Sequence, residues 1–128
     1  MQSARSLSAA VAELFPDLIE IGVDCFNPFQ PEVMDIYSIK REYAGRLAFW
    51  GGISTQRLMP YGTVDEVRAE VGRLIAMAHE GGYIVAPAHA IPGDAKAENI
   101  ALMLEMLPLA VLATALLRRR DRARNHAV

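Results

Sequence analysis

The sequence has few of the residues that declare a chemistry on their own. Cys25 is its single cysteine, which excludes a disulfide framework. Cys25 sits in an apolar run, which suits a reducing compartment, and the cytoplasm is the expected location. No GxxxxGK[ST] or GxGxxG occurs, so a phosphate loop and a dinucleotide-binding turn are both excluded. No His, Cys, Asp and Glu cluster has the spacing of a metal site, and none is expected. The opening stretch MQSARSLSAAVAELF has no sustained apolar run of the signal-peptide kind. What is present is ordinary for a folded domain: 52% apolar and 22% charged residues over a length of 128. That is enough chain for one domain with a buried core, and too apolar for a disordered one.

Charge is unevenly placed. Arg118, Arg119, Arg120, Arg122 and Arg124 are opposed only by Asp121, whereas residues 1–117 hold eight basic against fourteen acidic side chains. An acidic body argues against a nucleic-acid surface, and the basic tail has no aromatic residue for base stacking. The stretch Ile100–Leu117 is mostly apolar but is broken by Glu105 and Pro108. Both disfavour a membrane span, so the stretch reads as a terminal helix.

Along the chain, helical and extended patterns alternate. Ser8–Ile21 has helical spacing through Ala9, Ala12, Leu14, Leu18 and Ile21, with Pro16 marking a kink or restart. Val23–Asn27 reads as a strand stopped by Pro28. Asp35–Ala44 has helical spacing at Ile36, Ile39 and Tyr43, and Arg46–Trp50 reads as a second strand running into Gly51-Gly52. A long polar loop then reaches Gly62. Thr63 followed by Glu66 is a capping box, opening a helix with Val64, Val67, Val71, Leu74, Ile75 and Ala78 on one side. Gly81-Gly82 ends it, Tyr83–Pro87 is a third strand, and a last helix starts near Ala97. No hairpin signal separates the strands, so the order predicts an α/β fold with parallel strands and helical crossovers. The strands are almost wholly apolar, the pattern of strands covered on both faces.

In such folds chemistry collects at the carboxyl ends of the strands. Three segments fall there: Asn27-Pro28-Phe29-Gln30, Gly51-Gly52-Ile53-Ser54-Thr55-Gln56 and Pro87-Ala88-His89. Gly51 and Gly52 permit close approach to the backbone, by a ligand or within a tight turn. Gln30 and Gln56 can each donate and accept. His89 is the most capable group, as an acid, a base or a carboxylate ligand. His79, at a helix end, and His126, in the tail, read as structural or incidental.

Three ordered runs carry a family resemblance: IEIGVDCFNPFQPEVMD, LAFWGGISTQRLMPYGT with the following EVRAEV, and GGYIVAPAHAIPGDAKAENI. Together they resemble the C-terminal part of the uroporphyrinogen decarboxylase superfamily, in its divergent branch, over roughly residues 8–107. The resemblance implies the last three βα units of a TIM (β/α)8 barrel, incomplete in itself. Residues 1–107 would be the barrel portion and 108–128 an apolar, then arginine-rich, tail. It implies a carboxy-lyase of the porphyrin and haem pathway type, decarboxylating a tetrapyrrole or related carboxylate with neither metal nor organic cofactor. His89 would be catalytic, and Asn27, Gln30, Gly51, Gly52, Thr55 and Gln56 would bind substrate. His89 stands in Pro-Ala-His-Ala, where the decarboxylases have Gly-His-Gly. The same fold also serves zinc-dependent methyltransferases with corrinoid partners, whose late zinc-binding cysteine is replaced here by His89. A third reading is an inactive partial barrel. The expected partners are a small-molecule substrate and either a second copy or a missing N-terminal barrel half.

Overall fold

The computed structural model describes residues 4–108. In chain order they form α1 (Ala4–Glu20), β1 (Cys25–Phe29), α2 (Ile36–Glu42), β2 (Ala48–Ile53), α3 (Leu58–Tyr61), α4 (Val64–His79) and β3 (Tyr83–Pro87). Residues 97–108 are helical and are called α5. The expected arginine tail, and the part of the apolar stretch beyond 108, lie outside the described residues.

The strands form one parallel sheet in sequential order, β1-β2-β3. Phe49 is opposite Tyr83 and Trp50 opposite Ile84 in one ladder, and Cys25 is opposite Ala48 in the other. Sequential order requires each crossover to move one strand along in the same direction. β1 continues through Pro28 to Phe29 instead of stopping at Asn27, with a register irregularity between Phe26 and Phe29. Pro28 lacks an N–H, but β1 lies at the sheet edge, where a missing donor is tolerated.

The core lies on one side of this sheet. Phe15 of α1 meets Phe26 and Phe49 edge-on, at 4.9 and 5.9 Å between ring centroids, and Phe29 stacks on Phe49 at 4.5 Å. Ile36 and Ile39 from α2, Val67, Val71 and Leu74 from α4, and Leu102 and Met103 from α5 close the same cluster. Each fully buried large side chain of this kind is worth about 1.5–3 kcal/mol. The α4 stripe matches its expected face, with Met77 added at its end. In α1 the expected stripe is displaced. Phe15, backed by Val11, Leu18 and Ile19, is the buried face, while Leu14 and Ile21 are exposed. Residues 11, 15, 18 and 19 share one side of a helix, and the aromatic anchor decides which side turns inward. The helix runs continuously through Pro16.

The opposite side of the sheet carries no packed helix among the described residues. Trp50 is 49% and Ile84 54% exposed, and Cys25 and Asn27 are also exposed. Among the described residues the apolar strands thus have one packed face and one bare apolar face.

The segment expected as a long polar loop contains the short helix α3. Ser54 Oγ accepts from the backbone N–H groups of Arg57 and Leu58, each at 3.1 Å, and so caps its first turn. α5 then holds this turn through the fully buried Asn99, whose Nδ2 donates to the carbonyls of Met59 (3.0 Å) and Gly62 (2.9 Å).

Candidate functional site

The carboxyl ends of the three strands meet around Gly51. Its φ is +130°, and a Cβ there would lie 3.0 Å from the Phe29 carbonyl oxygen and 3.4 Å from Ala88 Cα. The Ala88 N–H donates to the Ile53 carbonyl at 2.9 Å, which fastens the start of the segment after β3 to the end of β2. His89 therefore follows directly on a residue packed against Gly51.

Gly52 has φ +95°, and a Cβ there would come within 1.9 Å of the Tyr83 hydroxyl oxygen. That hydroxyl donates to the Gly51 carbonyl at 2.7 Å in a buried bond. Burial pushes the Tyr83 hydroxyl far above its ordinary range, so it remains a protonated donor at neutral pH. The room left by the absent side chains is thus taken up by the protein's own backbone and by Tyr83. The pair shapes the end of β2 because only glycine adopts these angles without strain.

The other candidates divide by position. Asn27 is exposed on the bare face and donates from Nδ2 to the Trp50 carbonyl at 3.0 Å, bridging β1 to β2. Gln30 is half-buried just past β1, Gln56 is exposed, and Thr55 is almost fully buried at 2% exposure. His89 is exposed. Within β3, which leads to His89, only Tyr83 is buried; Ile84 is largely exposed and Val85 and Ala86 are half-buried.

A zinc site of thiol and imidazole does not assemble from these residues. Cys25 begins β1 and His89 follows the end of β3, so the two lie at opposite ends of a parallel sheet, separated by roughly 16 Å of strand. Among the described residues, no three His, Cys, Asp or Glu side chains gather as a metal-holding group.

Sequence reasoning missed Tyr83, Asn99 and the Glu32–Ser54 pair. Tyr83 looked like an ordinary strand residue, because the distance to the glycine pair is set by strand register. Asn99 did carry a signal: a polar residue three and four positions before Leu102 and Met103, on the apolar face of its helix. Glu32 and Ser54 lie 22 positions apart and are joined only by the fold, through a hydrogen bond from Ser54 Oγ to Glu32 Oε1.

A three-stranded parallel sheet in sequential order, with helical crossovers and polar loops at its carboxyl edge, defines an α/β protein whose units are compatible with part of a (β/α)8 barrel. The family model for uroporphyrinogen decarboxylase (URO-D) matches residues 7–108, and the chain belongs to that family. Neither the curated proteins nor the solved structures contain a significant match to the chain.

Proposed function

We propose that the chain contributes a wall of a (β/α)8-barrel decarboxylase acting on a tetrapyrrole or a related polycarboxylate. The observation that carries this reading is the meeting of three strand ends at Gly51, with Asn27, Gln30 and His89 on the segments around it. The bare sheet face, with Trp50 and Ile84, would look into the barrel interior, where strands from the rest of the barrel would cover it. Family membership supports the same reading.

In this role His89 binds a substrate carboxylate or carries a proton at the mouth. His89 is exposed and follows directly on Ala88, which packs against Gly51, so its ring is open to a ligand. Asn27 has its amide N–H committed to Trp50, which leaves its Oδ1 to accept from a pyrrole or hydroxyl donor. Gln30 and Gln56 offer both functions. Decarboxylation breaks the bond between an acetate side-chain carbon and its carboxyl carbon. CO₂ leaves, and a proton takes its place on the remaining carbon.

The experiment is an anaerobic incubation of the assembled barrel with uroporphyrinogen, followed by oxidation and chromatographic separation by carboxylate number. The expected result is stepwise loss of carboxylates, with His89→Ala lowering turnover at least about tenfold and leaving the unfolding midpoint nearly unchanged. No decarboxylation, together with near-stoichiometric bound zinc and methyl transfer to a corrinoid acceptor, would overturn the reading in favour of a methyltransferase.

A further inference from the structure

A concavity lies beside the carboxyl end of β2, lined also by α3 and α4. It is a cleft of about 520 Å³ between the β1–α2 loop, the end of β2, α3 and one side of α4. Its size is that of a small-molecule site. Pro31, Leu58, Tyr61 and Ala69 give it apolar walls, and the Tyr61 ring is 73% exposed.

Most of its charged groups are already engaged. Glu66 accepts from the Thr63 N–H at 2.8 Å as half of the α4 capping box. Glu70 accepts from the Tyr37 hydroxyl at 2.7 Å and pairs with Arg73. Two groups are left. Glu32 accepts from Ser54 through Oε1, but its Oε2 is buried with no hydrogen-bond partner among the described residues. Arg57 is exposed, and its guanidinium makes no ion pair or hydrogen bond among the described residues.

Both free groups line the same cleft, with Ser54 between them in the lining: its Oγ donates to Glu32 and accepts from the Arg57 backbone N–H. A carboxylate oxygen shut away without a donor is costly. Glu32 is itself part of the cleft lining, so a donor bound there can satisfy its carboxylate. We infer that this cleft binds a compact zwitterion with an aromatic or apolar body. Its ammonium group is held by Glu32, its carboxylate by Arg57, and its body lies against Leu58 and Tyr61. The site does not depend on the decarboxylase reading.

The test uses the full chain and three probes that differ in one group each: L-phenylalanine, phenethylamine without the carboxylate, and 3-phenylpropionate without the amine. Calorimetry or saturation-transfer NMR should show saturable binding of L-phenylalanine, with each half-probe at least about tenfold weaker, the usual effect of losing one charged hydrogen bond. Glu32→Gln and Arg57→Ala should each weaken L-phenylalanine by a similar factor. Arg57 is exposed and its side chain holds nothing in the fold, so Arg57→Ala remains informative even if Glu32→Gln fails to fold. Three results would each overturn the inference: no L-phenylalanine binding up to about 10 mM, half-probes as tight as the zwitterion, or undiminished binding by Arg57→Ala.

Discussion

Tyr83 and Gly52 show how one atom can decide a local shape. The Tyr83 hydroxyl occupies the position where a side chain at residue 52 would begin, and it supplies the buried donor for the Gly51 carbonyl. Gly52→Ala should cost at least about 2 kcal/mol, from a strained positive φ and from overpacking. Tyr83→Phe should cost about 1–2 kcal/mol, since it strands a buried carbonyl. The double variant should cost less than the two single costs added together, because removing the hydroxyl removes the nearest clashing atom. Urea unfolding of the four proteins measures this coupling. Strict additivity would show that the two residues do not act on one another. The need for glycine at these positions was visible as a Gly-Gly pair after a strand. The reason for it was not visible, because a residue 31 positions away along the chain supplies it.

The helices were the most legible elements, and their ends carry testable energies. At the start of α4, Thr63 Oγ1 accepts from the Glu66 N–H at 3.2 Å, and Glu66 returns the bond to the Thr63 N–H. Thr63→Ala should destabilise the chain by about 1 kcal/mol, whereas Thr63→Ser should be close to neutral in thermal unfolding. At the start of α2, Asp35 accepts from the Ser38 hydroxyl at 2.7 Å and from the Ser38 N–H at 3.2 Å. These hydrogen bonds hold its carboxyl below the usual carboxylate range. The stabilisation from Asp35 is therefore complete above its unfolded pKa of about 3.9 and fades as the pH falls through the lower folded value. The melting temperatures of the natural chain and of Asp35→Ala should differ at pH 6 and converge toward about pH 2. A gap that stays constant with pH would mean that the carboxylate does not cap the helix. Capping boxes and apolar stripes are local, so Thr63, Glu66 and the Val67–Val71–Leu74 face could be read directly from spacing. The short helix α3 could not, because its anchor Asn99 lies 40 positions from the Met59 carbonyl it holds.

At the scale of the whole fold, the sheet has a single covered face among the described residues. Trp50 and Ile84 stand opposite one another in the β2–β3 ladder and expose apolar surface together. A parallel sheet with one bare face and open edges is a ready surface for pairing. The isolated chain should therefore associate at micromolar concentrations. Ile84→Lys should shift it toward a monomer in light scattering without loss of helical circular dichroism. A monodisperse monomer for the natural chain would rule this out. The sequence by itself determined the alternation of helix and strand, the parallel pairing, the caps, the α4 stripe and, through three separated motifs, the family. These follow from local periodicity and from ordered runs of residues, which do not depend on what packs where. Only the tertiary structure decided that, among the described residues, the strands' apolar character goes to one packed face and one open one, since an apolar run looks the same in either case. It also decided that Phe15 turns α1 inward, that β1 passes through Pro28 because it lies at an edge, and that Glu32, Ser54 and Arg57 share one cleft. Each of these depends on contacts between residues far apart in the chain, and sequence spacing holds no record of such distances.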